Sequence, residues 1–466
     1  MLEKIISSAN DVLYGYILII VLVLGGIWFT IRTRGAQFRL LGQQFKAVTE
    51  KTDKDSVSSF QALMVSTASR VGTGNIIGVA TALCMGGFGS VFWMWVIAII
   101  GAASAFVEST LAQIYKKRGK EGCFGGPAYY IEAATKRRGI AIVFSVFLIL
   151  TYGFGFNMLA SYNLQSTFSS YEFYDAKYTP WIIGLIIAVL VGYCLIGGGK
   201  RIISVTSFLV PIMGALYILV AIVITILNAD VLPDVFSQIF EGAFDLKAIF
   251  GGFSGSCIMY GIKRGLFSNE AGVGSAPNAS ASAEVSHPAK QGLVQVLSVF
   301  IDTILVCTAT ALMCMTSGVT PPTSSDEAAS YVQASLSATL GEAGPIFITV
   351  AMLLFAFTTL LGNLYYVDKS INYLLGKEPT KVVKNVFYVV ASLVIFIGAG
   401  LSADLLWGVA DITMGGMTII NMPVILYLGK YAVRALKNYE KQIKKGGEIT
   451  FNKNDIGLPH ETDYWN

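Results

Sequence analysis

The stretch Val71-Gly72-Thr73-Gly74-Asn75 interrupts an apolar run that extends from Ser56 to Val107 with Arg70 as its only charged residue. A helix in hydrocarbon must satisfy every backbone N–H and C=O internally. Irregular backbone survives at membrane depth only where it is buried in protein or lines a polar cavity. Two glycines flanking a threonine, followed by an asparagine, unwind such a helix and expose amides and carbonyls. Interrupted helices of this kind build binding sites near the bilayer midplane. Gly72, Gly74 and Gly78 alone would serve equally as small-residue contacts between helices. Thr73 and Asn75 add polar groups that packing does not need.

Composition sets the class. The chain has 466 residues, of which 54% are hydrophobic and 13% charged, and its mean hydropathy is +0.63. Soluble chains carry about 25% charged residues. Val12–Ile31, Val91–Val107, Ile140–Leu150, Trp181–Ile196, Phe208–Leu227 and Val382–Gly400 are long or apolar enough to span, or to form the centres of spans. The chain therefore reads as an all-α polytopic membrane protein. Its net charge of +4 comes from basic residues scattered at helix ends, which is no nucleic-acid signature. The six cysteines form no Cys-x-x-Cys pair and read as small buried hydrophobes; Cys307 and Cys314 share a helix face. Only His287 and His460 exist, one in a loop and one in the polar tail, and no paired carboxylates stand at ligand spacing. An enzyme is not expected. With no basic n-region or cleavage site, Val12–Ile31 reads as a span rather than a leader.

Basic residues orient the spans. Arg32, Arg34, Arg39 and Lys46 follow the first helix and mark a cytoplasmic segment, which places the N-terminus outside. The broken segment Ser58–Met85 runs outward and Val91–Tyr115 returns to Lys116-Lys117-Arg118. Ile140–Phe168 goes out, Trp181–Ile196 comes in to Lys200-Arg201, and Ile202–Leu227 goes out to an acidic loop. The next span returns to Lys263-Arg264, Val294–Met315 goes out, Pro345–Val367 comes in, Val382–Gly400 goes out and Ile412–Leu428 comes in to a basic cytoplasmic tail. This gives about eleven transmembrane helices. The divisions are residues 1–52 (first helix and basic segment), 53–430 (a ten-helix core) and 431–466 (polar tail). If the first helix is set aside, the first and sixth of the remaining ten are interrupted, the sixth at Gly251-Gly252-Phe253-Ser254-Gly255-Ser256. Breaks at corresponding positions of two five-helix halves predict an inverted repeat.

Ser66–Ala80, Phe92-Trp93-Met94-Trp95 and Gly125-Gly126-Pro127-Ala128-Tyr129-Tyr130 resemble the alanine or glycine:cation symporter family of the amino acid–polyamine–organocation superfamily. So do the run Arg264–Pro277, His287-Pro288, Gln291–Val294 and Phe300–Thr303. The resemblance implies a leucine-transporter-type 5+5 inverted repeat with one extra N-terminal helix. It also implies sodium-coupled import of small neutral amino acids across the plasma membrane, with Na+ as coupling ion and proton coupling as the alternative. A channel is a further alternative, although no repeated filter motif is visible.

The chemistry of such a site can be stated from the residues. An amino acid zwitterion needs amide donors for its carboxylate and acceptors for its ammonium. The N–H groups of Gly72, Thr73 and Gly74 begin a half-helix whose dipole favours an anion. Carbonyls of Gly252, Phe253 and Ser254 would accept the ammonium. By resemblance, sodium would lie between the carbonyls of Ala68 and Val71 and the hydroxyls of Thr358 and Thr359. Asn75 would serve a second cation, serve the substrate carboxylate, or cap the second half-helix. Relatives often carry Asn-x-x-Gln in the third core helix, where this chain has Asn157-Met158-Leu159-Ala160, and a tryptophan where it has Asn363. Ala160 and Asn363 predict a roomier pocket with a polar wall that admits serine, threonine or glutamine besides alanine and glycine, unless neighbours repack. Arg70, Glu108, Glu270 and Asp302 at membrane depth must face protein or a cavity. They predict an ion pair at the inner gate, Arg70 with an acidic partner, or alternatively proton coupling through Glu108 or Asp302. The polar run Arg264–Pro277 is expected at the cytoplasmic end of the sixth helix.

Overall fold

The computed structural model describes residues 8, 10, 12–53, 56–119, 122–245, 256–459 and 461–465. In chain order its main helices are α1 (Leu13–Arg32), α2 (Ser59–Arg70), α3 (Gly74–Gly86), α4 (Ser90–Ile114), α5 (Arg138–Ser166), α6 (Thr179–Ile196) and α7 (Gly198–Leu227). There follow α8 (Leu232–Ala243), α9 (Cys257–Asn269), α10 (Pro288–Met315), α11 (Ala328–Leu340), α12 (Ala343–Leu375), α13 (Lys381–Gly398) and α14 (Ala403–Lys445). A two-stranded antiparallel hairpin, β1 (Lys117–Gly119) and β2 (Gly122–Phe124), follows α4. Among the described residues nine helices are long and apolar enough to cross a membrane; the interrupted segments α2–α3 and α9 are not counted in the nine.

Local chemistry sets the starts of the helices that frame the centre. Ser58 accepts from the Gln61 amide while the Gln61 side chain accepts from the Ser58 amide, a capping box that opens α2. Ser256 caps α9, and His287 caps α10 with Pro288 at its first position. α4 packs centrally against α1, α9, α10 and α14. Its stretch Gly101–Ala105 keeps side chains small so that neighbouring backbones approach closely. α6 and α13 pair at the periphery, and residues such as Leu185, Val189, Val386 and Leu393 present their exposed apolar side chains outward, as a lipid-facing surface requires. Wide π-helical turns occur at Gly74–Gly78, Ile149–Gly155 and Phe300–Cys307. Such turns commonly mark functional sites.

The first interruption falls where the sequence predicts it. α2 ends at Arg70, Val71 leaves helical geometry with ψ of 88°, and α3 restarts at Gly74. The second expected break falls at residues 251–256, of which 251–255, including Gly252, Phe253 and Ser254, lie outside the described residues; Ser256, in extended geometry, caps α9. The described chain unwinds eighteen residues later, between the end of α9 at Asn269 and a short helix Pro277–Ser280. Glu270 adopts a left-handed φ of 53°, and Gly272 and Gly274 continue at 83° and 92°, a region that glycine enters without penalty. Lys263 and Arg264 lie within α9, where both pair with Asp411 of α14, rather than at its end. Of the polar run Arg264–Pro277, residues up to Asn269 close α9 and Glu270–Ala276 form the interruption, with polar groups that find partners inside the protein.

Candidate functional site

The two interruptions face one another. At the first, the Gly72 amide donates to Asn75 Oδ1 at 2.8 Å, the half of a capping box in which the third residue of the new helix turns back to its start. The Asn75 amide nitrogen then donates to Asp302 Oδ1 at 2.7 Å and to Ser268 Oγ at 3.0 Å. Ser268 and Thr303 each donate to Asp302 Oδ2 at 2.7 Å. One fully buried carboxylate on α10 thus braces the break in the first helix, through a residue of α3 and a residue of α9. The Thr310 hydroxyl adds a bond to the Asn75 carbonyl at 2.7 Å. The amides of Thr73 and Gly74, as first-turn groups of α3, have no acceptor one turn back in their own helix.

Gly72 lies directly against α12. A Cβ built on it would stand 1.9 Å from Thr359 Oγ1, so only glycine admits this approach. The Thr359 hydroxyl donates to the Ala68 carbonyl at 3.1 Å, which brings a side-chain oxygen and a main-chain oxygen together at the end of α2. Thr358 points elsewhere. Its hydroxyl bonds to the carbonyls of Leu354 at 2.9 Å and Phe355 at 3.2 Å and faces Met213 of α7, the back-bonding usual for threonine inside a helix. The structure does not bring it to the Ala68 carbonyl. Val71 ends α2 with its amide on the Thr67 carbonyl.

A second polar chain runs from the break into α12 and α5. Ser69 donates to Asn363 Oδ1 at 2.6 Å, and Asn363 Nδ2 donates to Asn157 Oδ1 at 2.9 Å. Asn157 Nδ2 is buried and has no partner among the described residues. Ser69 also lies 3.3 Å from Glu270 Oε1, while Ser275 donates to Glu270 Oε2 at 2.6 Å. Asn157 and Asn363, singled out separately in the sequence, are therefore neighbours; Ala160 is buried on the same helix. Asn163, one turn further, donates to the Thr73 hydroxyl at 3.1 Å. Sequence reasoning passed over Ser69, Asn163, Ser268 and Thr303. The available signal is a polar residue on a helix, three residues from Ala160 in the case of Asn163.

Aromatic rings cover one side of the break. Phe267 lies against Gly74, with Phe156 at 4.5 Å and Trp407 at 4.8 Å between ring centroids. Arg264 sits 3.8 Å above the Trp407 ring and 3.3 Å from Asp411, which Lys263 also meets at 2.8 Å. On the other side Arg70 donates to Gln295 Oε1 at 2.8 Å. Among the described residues it forms no carboxylate ion pair, so the expected partner for Arg70 is an amide. Glu108 accepts from Asn421 at 3.0 Å and from the Gly272 amide at 3.3 Å, which fastens the second interruption to α4 and α14. No group of three or more potential metal-ligating His, Cys, Asp or Glu side chains occurs among the described residues. Apart from the Glu270 and Asp302 carboxylates, the side chains that join the two breaks carry hydroxyls and amides, hard oxygen donors that suit a transition metal poorly.

The description of the sodium:alanine symporter family matches residues 1–453. The amino-acid carrier protein AlsT of Bacillus subtilis is 40% identical over 464 residues, covering 99% of this chain and 97% of the relative. The probable sodium/glutamine symporter GlnT of the same organism is 40% identical over 471 residues, covering 100% and 96%. The sodium/alanine symporter AgcS of Methanococcus maripaludis is 35% identical over 450 residues, covering 94% and 97%.

Proposed function

Because the chain belongs to the sodium:alanine symporter family, we propose that it imports small neutral amino acids together with sodium, by alternating access to a site between the two helix breaks. The observation that carries this reading is the meeting of Gly72, Thr359 and the Ala68 carbonyl where α2 ends. The first-turn amides of α3 at Gly72, Thr73 and Gly74 bind the carboxylate, with the Gly72 amide shared with Asn75. Carbonyls of the second interruption, between Glu270 and Ala276, accept the ammonium. Sodium sits between the carbonyls of Ala68 and Val71 and the Thr359 hydroxyl. The fold is a 5+5 inverted repeat behind one extra helix, with about eleven spans, the N-terminus outside and the tail cytoplasmic. The core spans residues 53–430. The Phe156–Phe267–Trp407 cluster then closes the outer side, and α2 with the segment 277–284 closes the inner side.

Thr359→Ala removes a cation oxygen and is expected to raise the sodium concentration for half-maximal uptake about tenfold, while Thr358→Val leaves it within a factor of two. Uptake with sodium, lithium or choline outside reads both, and intact sodium dependence in Thr359→Ala contradicts the cation site. The unpartnered Asn157 amide and its neighbour Asn363 form a polar wall, so serine, threonine and glutamine are expected to compete with labelled alanine. Competition by glycine and alanine alone contradicts that wall. A proton-coupled variant of the same cycle is favoured by one observation, the full burial of Asp302 among neutral donors.

A further inference from the structure

The end of the bundle next to Lys116 is sealed by backbone. Val57, just before α2, pairs with Ala283 in a parallel bridge, and the Glu284 amide donates to the Val57 carbonyl at 2.9 Å. Ser56 donates to the Glu284 carboxylate. From α4, Gln113 Nε2 reaches the Ala283 carbonyl at 2.8 Å, and Lys116 Nζ reaches it at 3.0 Å. For a site between the two breaks to open to this side, the Val57–Glu284 seam must part.

Residues 462–465 fold back from beyond α14 onto that seam. Trp465 Nε1 donates to the Gln113 carbonyl at 2.7 Å, and the Tyr464 hydroxyl donates to Glu284 Oε1 at 3.1 Å. The Arg118 amide donates to Asp463 Oδ2 at 2.6 Å. Lys116 Nζ lies 3.8 Å from the centre of the Tyr464 ring and 5.1 Å from that of Trp465. Trp465 and Thr462 are buried, and Trp465 rests on Phe451 with ring centroids 5.2 Å apart. The Arg434 guanidinium fixes the approach by bonding the Ile456 carbonyl at 3.0 Å. Glu284 therefore belongs to two networks at once, the seam through Ser56 and Val57 and the returning segment through Tyr464.

We propose that residues 462–465 are a latch that holds the inner gate shut and must leave before α2 separates from the segment 277–284. This rests on the alternating-access reading above. The latch residues lie past the 1–453 span that the family description matches. Each turn of a transport cycle would then require release of the hydrogen bonds to Gln113, Glu284 and Arg118 and of the cation–aromatic contacts on Lys116.

Hydrogen–deuterium exchange tests it on the full chain, on a chain lacking residues 458–466, on Trp465→Ala and on Tyr464→Phe, all in lipid vesicles without sodium or substrate. Exchange in residues 56–66 and 277–286 is expected to be about tenfold faster in the deletion and in Trp465→Ala. Tyr464→Phe, which loses one hydrogen bond, is expected to fall between them and the full chain. Throughout, residues 343–375 should keep their protection. Unchanged exchange at the seam overturns the latch, and so does a loss of protection that extends to residues 343–375, because the tail would then support the whole fold. Uptake in the same vesicles separates this outcome from the functional reading. A full chain that accumulates no amino acid overturns transport, while normal uptake with unchanged seam exchange overturns the latch alone.

Discussion

Asn75→Leu is expected to lower uptake by about two orders of magnitude while the protein still elutes as a single folded species. The asparagine joins the break to α10 by two bonds at once. Its carbonyl oxygen holds the Gly72 amide, and its amide nitrogen donates to the Asp302 carboxylate. Leucine has nearly the same volume and neither group. It leaves a buried amide without an acceptor and a buried carboxylate short of one of three donors, at a cost of roughly 1–3 kcal/mol each. That cost falls on the geometry of the break rather than on the outer helices, so transport suffers before folding does. Ser268 and Thr303 still donate to Asp302, which limits the damage to the local site. Uptake normalised to monodisperse protein reads the effect, and near-normal uptake would show that the break holds its shape without Asn75.

The second large effect is expected at Gly72. In Gly72→Ala the new methyl meets Thr359 Oγ1, with Thr359 Cβ at 3.0 Å and Cγ2 at 3.2 Å. Rotating the threonine exchanges one clash for another, so α2 and α12 must move apart. Overpacking of this kind costs about 1–3 kcal/mol, and here it separates the Thr359 hydroxyl from the Ala68 carbonyl. The sodium concentration for half-maximal uptake is expected to rise more than tenfold, with a smaller change for the amino acid. Gly72→Ala combined with Thr359→Ser removes Cγ2 while keeping the hydroxyl, and is expected to recover part of the loss. Equal losses in the single and double variants would place the strain somewhere other than Thr359.

Much of this arrangement is legible in the sequence, and the reasons are particular. The first break can be read because Gly72-Thr73-Gly74 interrupts an apolar run with no competing explanation for Thr73 and Asn75. Thr359 is legible by resemblance, yet its neighbour Thr358 has the same chemistry and a different fate. Successive residues on a helix point about 100° apart, so only one of the two hydroxyls reaches the break. The second interruption is hidden for a different reason. Ser268-Asn269-Glu270 is too polar for hydrocarbon when averaged along the chain, which places it at a helix end. In three dimensions Ser268 and Glu270 find partners in Asn75, Asp302, Ser69 and Ser275, and the segment fits at depth. Gly272, Gly274 and Pro277 carried the local signal of a bend, with two left-handed glycines and a helix-starting proline. The glycines and serines at 251–256 carry the stronger signal because they interrupt an apolar segment, and residues 251–255 lie outside the described residues.

Arg70 shows the limit of charge arithmetic. Opposite charges at membrane depth suggest a direct pair, but Gln295 takes the guanidinium, and Glu108, Glu270 and Asp302 each accept from neutral donors. The three carboxylates are met by amides and hydroxyls that composition does not highlight, while Arg70 Nε and Nη2 are buried with no hydrogen-bond partner among the described residues. The long α14, which runs to Lys445 and leads to the folded segment 462–465, is legible only as a basic tail because that segment's partners lie far back in the chain, Gln113 and Arg118 more than three hundred residues earlier and Glu284 180 residues earlier.

The most direct test of coupled transport through this site is uptake of labelled alanine into vesicles containing the purified chain, under one imposed gradient at a time. An inward sodium gradient at equal pH is predicted to drive saturable accumulation above the external concentration, and an inward proton gradient without sodium is predicted to drive none. Accumulation with protons alone, or equilibration that never saturates, would contradict sodium symport at the paired breaks.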